Sequence, residues 1–292
     1  MTSSAVQPAT RGNLRRLLSS GTTVVALVLV AIVVVLAVFG SLVAPSDPVA
    51  QDLTQRYLPP AWMSGGHAAH LFGTDNLGRD VLSRTIAGAR VSMVVGISSV
   101  LLQILIGVTL GLCAGYFGGW VDNVVMRLSD VWVSIPFLVL ALAVSATLGP
   151  GMNNTILVLG AVGWVGFARL IRSQTLVLRE REFVLAARTS GRGPWAILTR
   201  DVLPNVSGSI IVLATLSLSQ MIIAESSLSF PGLGIQPPGI AWGSMIADGL
   251  QNLTVAWWVV AGPGLLLMVS TFGVNLLGDA LRDALDPKER KR

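Results

Sequence analysis

From Thr22 to Val43 the sequence carries no charged residue and hardly a polar one. A helix crossing the hydrocarbon core of a bilayer needs about 20 predominantly apolar residues, so this run alone predicts a membrane span. Arg11, Arg15 and Arg16 precede it, as they would a signal sequence, but the apolar stretch is too long for a signal core and others follow. They run near 91–115, 131–148, 155–170, 206–228 and 254–277, which makes about six transmembrane helices. Composition agrees: 52% of residues are hydrophobic and 12% charged, against about 25% charged in soluble domains. The chain is read as an all-α integral membrane protein.

The spans divide the chain into a tail at 1–21, a first span at 22–44, a polar and proline-broken loop at 45–90, a five-helix core at 91–280 with an internal polar segment at 171–205, and a tail at 281–292. With the N-terminus in the cytoplasm, sixteen of the 20 Lys and Arg residues fall on cytoplasmic segments, and only Arg56, Arg79, Arg84 and Arg90 fall outside. That is the positive-inside bias, and it predicts both termini in the cytoplasm. It also accounts for the net charge of +5 without nucleic acid as a partner.

Several chemistries are excluded. The only lysines are Lys288 and Lys291 in the tail, so no Gly-Lys-Ser/Thr phosphate loop exists, and ATP hydrolysis would belong to a partner. Cys113 has no disulfide partner in the chain. His67 and His70 stand in a glycine-bearing loop with no Cys or Glu nearby to complete a metal site, and Ala68 stands where zinc-protease chemistry needs Glu. They read as loop residues. No catalytic, cofactor or metal site is expected. No internal repeat is visible, which weighs against an ion-coupled transporter built from two related halves.

The most informative stretch is 179–205, REREFVLAARTSGRGPWAILTRDVLPN. Helix formers run to Ser190, Gly191 and Gly193-Pro194 interrupt them, and a second helical piece from Trp195 to Leu203 precedes Pro204 at the membrane boundary. Ala186 and Ala187 would let another protein approach closely, and Gly191 needs either a positive φ or such an approach. Arg127 and Asp130 stand three apart and predict an ion pair on one helix face. Glu225 and Ser226, late in the fifth span, predict a carboxylate facing protein or water, either in a transport pathway or in a packing hydrogen bond to a partner subunit.

The pattern Ala186-Ala187, Gly191, Leu203-Pro204 resembles the EAA loop of bacterial ABC-importer permeases, with Leu185 in place of the leading Glu and Asp201 at a position often apolar. The run Phe72 to Arg84, FGTDNLGRDVLSR, is similar to a signature of the dipeptide and oligopeptide branch. So are Gly115-Tyr116-Phe117-Gly118-Gly119 with Asp122, Met126-Arg127, Asp130 and Ser134-Ile135-Pro136. Leu228 to Pro238 with Trp242-Gly243 also matches, apart from Pro231, and so does Gly278 to Pro287. The resemblance implies a type I importer permease fold and a C-type subunit in the bacterial inner membrane. It implies a B-type permease partner, two ATPase domains carrying ATP and Mg, an external peptide-binding protein and a peptide cargo, though nickel importers share the pattern. It makes the loop a coupling helix that docks into the ATPase, through Phe183, Ala186, Ala187, Arg188, Gly191, Leu203 and Pro204.

Overall fold

The computed structural model describes residues 20–285. The tail segments at 1–19 and 286–292, with Lys288 and Lys291, lie outside the described residues. The described chain is helical, with an isolated β-bridge between Thr74 and Asp80. Five of its helices are long and apolar enough to cross a membrane, and a bent pair makes a sixth.

Helix α1, Gly21–Val43, buries Ala26, Val33 and Gly40, seven residues apart along one stripe, and exposes Val28, Ile32 and Val35. Such a helix packs on its neighbours along one seam and gives the rest of its surface to lipid. At Gly40 the approach is close: an added Cβ would sit 3.0 Å from Ile86 Cγ2.

Helix α2, Val81–Phe117, begins ten residues before the apolar pattern at Val91 because Asp80 caps it. The Asp80 carboxylate accepts from Ser83 N at 2.8 Å and Ser83 Oγ at 2.6 Å, the first of these satisfying a backbone donor that the first turn leaves free. Residues 81–90 are therefore helix and not loop. The helix ends at Gly118, whose φ of 65° closes it.

The third span is not continuous. Helix α3, Gly119–Val133, and helix α4, Phe137–Leu148, meet at 87° across Ser134-Ile135-Pro136. Pro136 brings no N–H and disfavours a helical Ile135, so the backbone turns there. The fourth span, 152–178, is longer than its apolar core predicted and has a joint at Gly163 and Trp164 between helix α5, Met152–Val162, and helix α6, Val165–Leu178. Trp132 Nε1 donates to Val162 O at 3.0 Å, occupying a carbonyl at that joint.

Helix α6 lies against α2 along Gly107, Gly111 and Gly115. A Cβ on Gly111 would fall 2.6 Å from Ala168 O and 3.0 Å from Ile171 Cβ. Small residues four apart let two membrane helices bring their backbones together, where dispersion replaces the hydrophobic effect as the source of association.

The segment after α6 forms helix α7, Glu182–Thr189, and helix α8, Pro194–Ile197. Helix α8 runs through a π-helical turn, Leu198–Val202, into helix α9, Leu203–Ser229. Pro204 does not stop the helix at the membrane boundary. The turn ahead of it widens, Leu203 N donating five residues back to Leu198 O, and the helix passes through the proline. At the opposite end of the bundle, helix α10, Trp242–Leu250, tucks back before the last span, helix α11, Trp258–Leu285. Trp242 is fully buried and its Nε1 donates to Thr85 O at 2.9 Å; Trp258 Nε1 donates to Thr74 O at 3.1 Å. These two indoles lock the α10 end onto the start of α2.

Candidate coupling surface and membrane-buried polar sites

Helix α7 is amphipathic over two turns. Val184 and Ala187 are buried, while Phe183, Leu185, Ala186 and Arg188 are exposed. The two alanines therefore differ: Ala187 packs into this chain's own core, and Ala186 presents a small surface outward. Gly191 closes the helix with φ 77°. Arg192 N donates to Ala187 O at 3.1 Å and Gly191 N to Arg188 O at 3.0 Å, the paired bonds of a Schellman cap. A Cβ at Gly191 would meet nothing within 4 Å, so within this chain the glycine is required by its backbone angle and not by crowding.

The turn is braced from both sides. Arg192 Nη1 donates to both oxygens of Asp201 at 2.7 Å, and Asn205 Nδ2 donates to Asp201 O at 2.6 Å. A charge at position 201, often apolar in the resembling loops, thus ties the turn to the π-helical segment. Leu203 is half-buried there and Pro204 is exposed.

The end of α2 reaches this surface. The Arg188 guanidinium lies 5.4 Å from the Tyr116 ring centroid, and Phe117 meets Trp195 edge-on at 6.0 Å. Arg179 Nη1 donates to Gly115 O at 3.0 Å, and Arg172 grips Asp122 through two guanidinium nitrogens. The Gly115–Asp122 motif is therefore a clamp that fixes α6 and α7 to the ends of α2 and α3. The expected Arg127–Asp130 pair does not form. Asp130 instead pairs with Arg169 of α6 at 2.7 Å, because Asp130 faces the neighbouring helix and can reach a guanidinium on it.

At the α10 end a second polar cluster is packed. Arg79 Nε donates to Asp75 at 2.7 Å, Arg84 approaches the same carboxylate at 3.4 Å, and Arg84 Nη1 donates to Pro48 O at 3.2 Å. Asp248 of α10 is an exposed residue near both arginines; desolvation raises its carboxyl above the ordinary range, and the nearby guanidinium charges oppose that rise. His70 lies 3.0 Å from Asp80 and 3.0 Å from Gln55. It is a packing residue of this cluster and not a solvated loop histidine. The Phe72–Arg84 signature thus builds a cap across the start of α2.

Glu225 is completely buried between α9 and α2. Its carboxylate accepts from Ser92 Oγ at 2.9 Å and Ser229 Oγ at 2.8 Å, with Ser226 Oγ at 3.5 Å. Ser229 Oγ also accepts from Ile235 N at 3.2 Å, so the network reaches the loop before α10. These serines all belong to the same chain as Glu225. Among the described residues no three His, Cys, Asp or Glu side chains gather as a metal set.

Residues 107–291 match the family of binding-protein-dependent transport system inner membrane components. The chain belongs to that family. Residues 10–60 of this permease also match the N-terminal membrane domain of oligopeptide transport permease C. The permease is 44% identical over 257 residues to the di/tripeptide transport permease DppC of Pseudomonas aeruginosa, across 88% of this chain and 85% of that protein. It is 42% identical over 278 residues to the dipeptide transport permease DppC of Bacillus subtilis, across 95% and 85% respectively. It also superposes on a chain of the inward-facing MetNI methionine ABC transporter with a TM-score of 0.54 at 17% identity, over 70% of the permease and 97% of that chain. At that identity the likeness is one of fold, that of type I importer permeases.

Proposed function

We propose that this permease is the C-type membrane subunit of an ATP-driven importer for short peptides, working with a second permease subunit, two ATPase domains that bind ATP and Mg, and an external peptide-binding protein. Its mechanical link is the α7–Gly191–α8 surface, which docks into an ATPase subunit on the cytoplasmic side. Both termini are cytoplasmic in this arrangement, and the α10 end faces outward. The observation that carries the reading is the rigid, outward-facing surface of Phe183, Leu185, Ala186 and Arg188, closed by a Schellman cap and clamped to α2. A surface held this firmly can pass a push from a partner into the bundle. The dipeptide systems to which the two relatives belong support peptide as cargo. An ion-coupled transporter or channel would have no use for such a surface.

The test is Ala186→Trp in the complete complex, because it changes contact volume on the exposed side without demanding a new backbone angle. Insertion and pairing with the second permease should be normal while ATPase association weakens or uptake is lost. Wild-type uptake with the ATPase fully bound would overturn the coupling assignment. The chain reconstituted alone should neither hydrolyse ATP nor accumulate peptide.

A further inference from the structure

Between α4, the α5–α6 joint and α9 lies a groove of about 500 Å³ within the membrane-spanning part of the chain. Phe137 of α4 and Phe167 of α6 form apolar walls, Gly163 and Gly166 form the floor, and no charged residue lines it. From α9 it receives Ser217, Gln220, Ala224 and Ser227, spaced by three, four and three residues and so on one helical face. Gln103 of α2 reaches the floor from behind. It is 1% exposed, and its Nε2 donates to Leu159 O at 3.0 Å. A Cβ at residue 163 would collide with that amide, 2.3 Å from Nε2, so the glycine lets Gln103 pack directly beneath the floor. Gln220 is exposed, and neither its amide nor the Ser217 hydroxyl makes a side-chain hydrogen bond among the described residues.

A free amide in the middle of a span is costly against lipid, so this face meets protein or a wet passage. The shape decides between them. A concave site of this volume, mostly apolar with a few convergent polar groups, has the dimensions and make-up of a small-molecule site, whose usual range is about 300–1,000 Å³. The chemistry then selects the occupant. Glutamine amides and serine hydroxyls donate and accept, which suits peptide units that offer one N–H and one C=O each. A divalent cation would find no carboxylate, imidazole or thiolate in this lining.

We infer that this groove is the permease's half of the cargo passage and that Gln220 contacts the backbone of the passing peptide, leaving its side chains unread by charge. This rests on the importer reading above.

The complete complex in proteoliposomes tests it, beginning with ATP-driven uptake of neutral dipeptides by the wild type; failure of that step would refute the importer reading and leave no passage to assign. With the wild type active, Gln220→Glu places a carboxylate in the groove. Uptake of lysine-containing dipeptides relative to aspartate-containing ones should rise by about tenfold, the ratio that roughly 1.4 kcal/mol of differential interaction gives. Gln220→Cys should react with a charged, water-soluble methanethiosulfonate, and saturating dipeptide during turnover should slow that reaction. An unchanged charge preference in an assembled Gln220→Glu complex would overturn the inference. So would a Gln220→Cys thiol that stays unreactive throughout the cycle, because the groove would then be packed against the second permease. If Gln220→Glu fails to assemble, the Gln220→Cys result decides alone.

Discussion

Gly191 concentrates the local argument at the residue scale. Its φ of 77° is a conformation that β-branched residues strongly resist, and the open space around it means added volume alone costs nothing within the chain. Gly191→Val should therefore strain the cap by about 1–3 kcal/mol, whereas Gly191→Asn should be tolerated, since Asn enters this region more readily. If the angle is what coupling requires, uptake by the assembled complex should follow the order Gly, Asn, Val; equal loss with Asn and Val would mean that contact with the partner, not backbone angle, is limiting. Position 191 was legible in the sequence as a glycine needing a positive φ or a close approach; that its angle is positive, and that its own chain leaves open space around it, was not. Ala186 and Ala187 show the same boundary of sequence reasoning. Both are small and adjacent, and only the orientation of α7 on the bundle separates the buried one from the exposed one.

At the scale of elements, the glycine line of α2 is the feature that hydropathy conceals. Gly107, Gly111 and Gly115 recur every fourth residue, a signal present in the sequence, yet nothing in one helix says which other helix its small face will meet. Gly111→Val would drive a branched side chain into Ala168 O and Ile171 Cβ. It should destabilise the α2–α6 pair by about 1–3 kcal/mol, read as a lower midpoint for detergent-resistant assembly, while Gly166→Ala, with open space around its Cβ, should leave that midpoint unchanged. The clamp at the same end makes a separate expectation. Tyr116→Ala removes the aromatic face beneath Arg188 and should lower uptake more than it lowers ATPase binding, whereas Tyr116→Phe keeps the ring and should behave as wild type. Equal behaviour of the two variants would exclude the cation–aromatic contact as part of the link. The apolar spans themselves were legible because lipid imposes one rule on every residue it touches. The 87° break at Pro136 was marked by the proline, but a proline in a span can kink, bend or pass, as Pro204 does within its widened turn, and only the packing of neighbours selects among these.

For the whole molecule, the charge distribution predicts orientation. Ser64 belongs to the α10 end and Thr189 to the α7 end, so a cysteine at 64 should label from outside intact cells and one at 189 only after the membrane is opened. External labelling at 189 would invert the proposed arrangement and move the ATPase-facing surface to the wrong side.

Helix α2 joins those two ends in one piece. Its 37 residues extend about 55 Å at 1.5 Å per residue, against a hydrocarbon core of roughly 30 Å. The excess projects beyond the lipid or is absorbed by tilt. One end carries the Asp80 cap beside the arginine cluster, and the other carries Tyr116 and Phe117 against Arg188 and Trp195. If such a rod tilted about its middle as one stiff piece, a swing of about 10° would displace each tip by roughly 5 Å in opposite directions. Paired spin labels at the exposed positions Arg90 and Thr109 should keep one fixed separation through the transport cycle, while each changes its distance to a label on α1. A separation that varied with nucleotide would mean that the rod bends, and that the two faces of the membrane are not joined by a single stiff part.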